Sequence, residues 1–163
     1  MSRHSSANAK RLHDQAMALA HKARVSESFK ARALYAEAYH AEEAALNTWV
    51  VDTGGAEPSR SILCRSAAAL AMRAALYENA ERLCGVCLSG SPNNSIRTEI
   101  ADIRTQIAIG RQTLTQAMQN RDRARRYVNE LQQGGATPKQ FPRRPPKIPH
   151  LWPPQTPPPG VIV

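Results

Sequence analysis

The sequence predicts an all-α protein of about five helices in antiparallel hairpins, with a long C-terminal helix and an extended Pro-rich tail. Three observations predict it. The first 137 residues are rich in Ala, Leu, Arg and Glu and poor in the β-branched and aromatic residues that favour strands. Apolar residues there recur at spacings of three and four, the period of one helix face. Proline is segregated: ten of the 12 lie between Pro138 and Val163, leaving Pro58 and Pro92 in the rest of the chain. A segment so dense in proline forms neither a helix interior nor a central strand. The chain therefore divides into a helical body over 1–93, a long and coiled-coil-like helix over 94–133, and a Pro-rich basic tail over 134–163.

The first helix is expected from residue 6 to about 24, with Leu12, Ala16, Leu19, Ala20 and Ala23 on one face. Val25-Ser26-Glu27-Ser28 interrupts it, and either serine is a candidate cap for the next helix. That second helix runs from 28 to about 50 on a stripe of Ala31, Leu34, Tyr35, Ala38, Ala41, Ala45 and Trp49, with Glu37, Glu42 and Glu43 largely outside it. Asp52-Thr53-Gly54-Gly55 ends it. Pro58 suits the first turn of a third helix reaching Ala75, because that turn needs no proline N–H. Six alanines from Ala67 to Ala75 give this helix a small surface, which lets neighbouring axes approach and predicts burial between them. A fourth helix spans about Tyr77 to Leu88 and stops at Gly90 and Pro92.

The fifth helix starts near Asn94 or Ser95 and extends to Gln133. Its seam, Ile96, Ile100, Ile103, Ile107, Gly110, Leu114, Ala117, Arg121, Ala124, Val128 and Leu131, alternates steps of four and three, a heptad pattern. The residues after Leu114 are poor core formers, so the first half should pack on the body and the second half should project or break. Gly134-Gly135 closes the helix.

Net charge is +9, unevenly spread: +4 over residues 1–30, −2 over 31–90, +1 over 91–120 and +6 over 121–163. Basic ends attract nucleic acid, an anionic membrane or an acidic protein face without choosing among them. No apolar run is long enough to span a membrane, and the N-terminus lacks a secretory core. Three cysteines in helical context fit a reducing cytoplasm better than a disulfide scaffold.

Leu76-Tyr77-Glu78-Asn79-Ala80-Glu81-Arg82 resembles the start of the second helix of a tetratricopeptide repeat, and Pro92 falls at that repeat's closing proline. Ala68 and Ala71 occupy its small-residue positions. The resemblance covers residues 60–94 and departs from the repeat pattern at Cys64, Ala75 and Cys84. It implies a helical stack whose concave face binds peptides or partner helices, with the fifth helix or a partner protein as the cap. The chain is also similar to a loose group of small bacterial proteins in Glu57-Pro58-Ser59-Arg60-Ser61 and Arg65-Ser66-Ala67-Ala68.

Cys84-Gly85-Val86-Cys87 has the spacing of a redox pair or half a zinc site, but no second ligand pair follows, and its place inside a helix reads as packing. The five histidines include no pair four apart. His13 and His21, eight apart, could share a helix face, and solvated helix residues are the expected reading. No catalytic constellation, phosphate loop, metal set or cofactor motif stands out, so an enzyme is not expected. Arg121, Arg123, Arg125 and Arg126 form a basic cluster suited to phosphates or an acidic partner, with Asp122 set to pair Arg126. In the tail, Arg143-x-x-Pro146-x-x-Pro149 and Pro142-x-x-Pro145-x-Lys147 match the two orientations of a polyproline ligand. Phe141, Arg143, Arg144, Pro146, Pro149 and Trp152 are the expected tail contacts. The reading is a cytoplasmic, non-enzymatic adaptor or accessory subunit that binds another protein through a helical groove and the tail. The alternative is a nucleic-acid-binding accessory subunit that uses the basic ends.

Overall fold

The computed structural model describes residues 3–133, with side chains from residue 7 onward. It is all-helical: α1 is Arg3–Arg24, α2 Ser28–Thr53, α3 Ser59–Arg73, α4 Tyr77–Leu88 and α5 Asn94–Gln132. Among the described residues there is no strand. A division falls inside α5: residues 1–119 form one compact unit, and the described residues from Asn120 onward belong to a second.

The breaks between helices are made by local hydrogen bonds. Neither serine caps α2, contrary to expectation. The residue before the helix is Glu27, in an extended conformation without a side-chain cap. The Ser26 hydroxyl instead donates to Lys22 O at 2.8 Å, closing the end of α1. Gly54 ends α2 in the left-handed conformation, φ 66°. Trp49 Nε1 donates to Ala56 O at 2.9 Å and Thr53 Oγ1 to Trp49 O at 2.7 Å, which folds the loop back onto the helix. At the end of α3, Leu76 N–H donates to Ala71 O and Ala75 N–H to Met72 O. These are the two bonds of a Schellman turn, whose left-handed position is occupied by Ala75 at φ 61° rather than by glycine.

In the unit 1–119, α1 packs on α2, α2 on α3 and α3 on α4. The contacts are built from small residues. Ala9, Ala16 and Ala23, seven apart on α1, are buried, as are Ala38 and Ala45 on α2 and Ala67, Ala68 and Ala71 on α3. The Ala-rich third helix is therefore buried as its composition predicts. Tyr39, Leu83, Ile100 and Ile107 are the largest apolar side chains wholly enclosed. Ile96, Ile100, Ile103 and Ile107 join that same core, so the first half of the α5 seam packs on the body as expected. Leu114 and Met118 are half exposed, and the seam is already open at these positions. In the second unit Val128 and Leu131 are exposed as well. No helix among the described residues is long and apolar enough to cross a membrane.

Candidate functional site

The seven residues that carry the repeat resemblance each tie α4 to a neighbour or to its own turn. The Leu76 N–H closes the α3 turn. Tyr77 lies across Gly110 of α5: a Cβ at Gly110 would meet ring carbons of Tyr77 at 2.5 and 2.8 Å. Glu78 pairs with Arg111 at 2.9 Å and Glu81 with Arg104 at 3.0 Å. Asn79 Nδ2 donates to the Tyr39 hydroxyl at 2.9 Å, and that hydroxyl donates to Glu43 Oε2 at 2.7 Å. Arg82 pairs with the same Glu43. Burial, then the Glu43 carboxylate, pushes the Tyr39 hydroxyl above its ordinary pKa, and Glu43 raises that of Arg82. Ala80 is wholly buried.

The Glu57–Ser61 segment has a comparable structural role. Glu57 Oε2 accepts the Ser61 N–H at 3.0 Å at the start of α3. Arg60 Nη2 donates to Val86 O at 2.8 Å near the end of α4, and Arg60 also faces Glu57 at 3.4 Å. Burial pushes the Glu57 carboxyl up, but hydrogen bonds from Ser61, the Ser91 backbone and Arg60 outweigh it and hold the carboxyl below its usual range.

An open pocket lies where α1, α2 and α3 meet. Ala9, Lys10, His13, Trp49, Ser59, Ile62 and Leu63 line about 180 Å³ of space, and its walls are mostly apolar. Behind it sits the one acidic side chain buried completely among the described residues. Glu42 is 0% exposed, and both its oxygens lie within 2.9 Å of His13 Nδ1. Burial raises the Glu42 carboxyl above its ordinary pKa, and His13 opposes that rise. An ionised Glu42 accepts a hydrogen bond from Nδ1–H, leaving Nε2 as the ring nitrogen not engaged by Glu42. Among the described residues no hydrogen bond joins Ser59 to His13, so serine, histidine and acid are not assembled into a nucleophilic relay.

Two expectations are corrected here. His13 is not a solvated helix residue, and Glu42 is not outside the apolar stripe. Position held a signal that residue type obscured. Glu42 is four residues after Ala38 and three before Ala45, and His13 is four after Ala9 and three before Ala16, all buried alanines.

The cysteines are buried, as packing predicts, and Cys84 and Cys87 both face inward. No group of three or more side chains able to hold a metal occurs among the described residues. Arg121, Arg123, Arg125 and Arg126 are exposed on α5. Asp122 sits 3.7 Å from Arg121, its neighbour, rather than in the expected pair with Arg126. The tail contacts Phe141, Arg143, Arg144, Pro146, Pro149 and Trp152 lie outside the described residues. No family model, curated protein or solved structure matches the chain.

Proposed function

We propose that this chain is a non-enzymatic cytoplasmic adaptor that holds another protein in the pocket between α1, α2 and α3, assisted by its Pro-rich tail. The open apolar pocket carries the reading. Ile62, Leu63, Trp49 and Ala9 offer an apolar seat, and Lys10 supplies a donor for a flanking acidic group.

A tetratricopeptide-like reading of the body is in keeping with it. The Arg65–Glu99 pair, 3.2 Å apart, joins α3 to α5 at a separation of 34 residues, the length of that repeat. Tyr39–Asn79 and Glu43–Arg82 join α2 to α4 at slightly larger separations, in keeping with a longer first hairpin. In that reading these pairs join helices one repeat apart, and α5 serves as the cap of the stack.

The test is affinity purification with the native chain, an Ile62→Asp variant and a chain ending at residue 137. Ile62 is 40% exposed, so the substitution leaves the core intact. Capture of a defined partner that weakens in both variants, with melting temperatures unchanged, supports the adaptor. Equal capture by all three overturns it.

Nucleic-acid binding by the exposed Arg121, Arg123, Arg125 and Arg126 is the second reading. It requires affinity that falls steeply with salt, with a slope of about 0.9 per phosphate contact on duplex DNA. Neutralising the four arginines must flatten that slope.

A further inference from the structure

Three buried thiols and the Glu57–Ser61 segment are not used by the proposed adaptor, and they meet at one place. Cys64 on α3 donates its S–H to Leu83 O of α4 at 3.3 Å, and Cys87 on α4 donates to Ser61 O of α3 at 3.7 Å. Each thiol thus reaches the helix that carries the other, which makes the two sulfurs neighbours across the α3–α4 contact. Arg60 stands beside Cys87 and is held there by Val86 O and Glu57. Gly90 admits it, because a Cβ at that position would strike the Arg60 guanidinium.

The surroundings divide the work between the sulfurs. At Cys87 the neighbouring Cys64 thiol, and then Arg60, favour the thiolate against the effect of burial. The neighbouring Cys87 and burial push the Cys64 thiol up, with Arg60 opposing that rise. Cys84, one turn away, is pushed up to about 11, by burial first and then by Glu81. The sequence spacing pairs Cys84 with Cys87, whereas the structure pairs Cys87 with Cys64.

We propose that Cys64 and Cys87 form a reversible disulfide that staples α3 to α4 when the protein meets a hydroperoxide, Cys87 reacting first and Cys64 second. The Cys87 thiolate attacks one peroxide oxygen and the O–O bond breaks, giving a sulfenic acid and hydroxide, which takes up a proton to become water. The Cys64 sulfur then attacks the sulfenic sulfur, the S–O bond breaks, and hydroxide leaves with the Cys64 proton as a second water. Two thiols lose two electrons and the O–O bond gains them. Both sulfurs are 0% exposed, so the reaction proceeds from the locally opened α3–α4 contact.

The full-length reduced chain is treated with hydrogen peroxide, blocked with an alkylating reagent under denaturing conditions, and read by intact mass and peptide mapping. The expected product is a monomer with Cys64 linked to Cys87 and only Cys84 alkylated, about 2 Da lighter than a chain with one alkyl group and two free thiols, reversed by dithiothreitol. Cys64→Ser should stop at a sulfenic acid on Cys87 that a dione reagent traps. Arg60→Met should slow oxidation about tenfold, as a rise of about one unit in a thiol pKa would. A Cys84–Cys87 link overturns the proposal, as does an unchanged mass under peroxide that oxidises free glutathione. The mapping uses the unaltered protein, so a variant that misfolds does not blunt the test.

Discussion

His13 Nδ1 on α1 lies 2.8 Å from Glu42 Oε2 on α2, and the carboxylate is wholly enclosed. Removing one partner of a buried pair leaves the other charge without compensation, at a cost of about 3–5 kcal/mol when both are buried. His13 is 34% exposed, so His13→Ala should lose less, about 2–3 kcal/mol at pH 7. Glu42→Gln should lose less still, because the amide oxygen can accept the same Nδ1 proton. The pH dependence has a definite sign. The folded-state pKa of Glu42 is raised, so between the ordinary value of 4.5 and the raised one the folded state binds a proton that the unfolded state does not. Stability from this group falls as pH rises through that window. His13→Ala raises the carboxyl further, so its deficit should narrow as pH falls from 7 toward 4.5. Urea unfolding across that range measures it, and a pH-independent deficit would contradict the pairing.

Ala75 occupies the left-handed position of the α3 turn at φ 61°. An L-residue there is strained by about 1–2 kcal/mol, from which glycine is free. Glycine also gains freedom in the unfolded chain, which offsets part of the relief. Ala75→Gly should therefore stabilise the protein by about 0.5 kcal/mol. Denaturant titration reads this as a higher midpoint with an unchanged slope.

Gly110 would gain about 1 kcal/mol from Ala if helix propensity alone decided. The Tyr77 ring decides otherwise, since an added Cβ would sit 2.5 Å from a ring carbon. Overpacking of this kind costs about 1–3 kcal/mol. Gly110→Ala should thus lower stability by about 1 kcal/mol. The double variant with Tyr77→Leu should recover the propensity gain, and a stabilised single variant would show that the ring moves aside freely.

The helices were legible because their evidence is local. Steps of three and four mark Ile96 to Ile107, and Gly54-Gly55, Gly90 and Pro92 punctuate the chain. The candidate pocket was not legible, because His13 and Glu42 are 29 residues apart and meet only through packing of α1 on α2. Their residue types argue for solvent, whereas their positions among Ala9, Ala16, Ala38 and Ala45 argue for burial. The thiol pairing was hidden for a related reason. The short spacing of Cys84 and Cys87 draws attention, while the contact forms between Cys87 and Cys64 on another helix. Glu57-Pro58-Ser59-Arg60-Ser61 was visible as a pattern, yet its bonds to Val86 and Ser61 need the fold.

Those bonds make the last expectation. The Glu57 carboxylate accepts the Ser61 N–H at the start of α3 and faces Arg60, which grips the end of α4. Loss of a carboxylate at a helix start costs about 1 kcal/mol. Glu57 is 29% exposed, and Glu57→Gln should lose about that much or slightly less at pH 7. The folded-state pKa of Glu57 lies below its ordinary 4.5, so its contribution is complete above 4.5 and disappears as pH falls through the lowered value. The native chain should lose this stability on acidification, and the variant, with nothing to titrate at 57, should not. Their unfolding free energies should converge below pH 4.5, opposite in cause to the Glu42 pair, where the native advantage shrinks because a raised carboxyl is relieved of its charge.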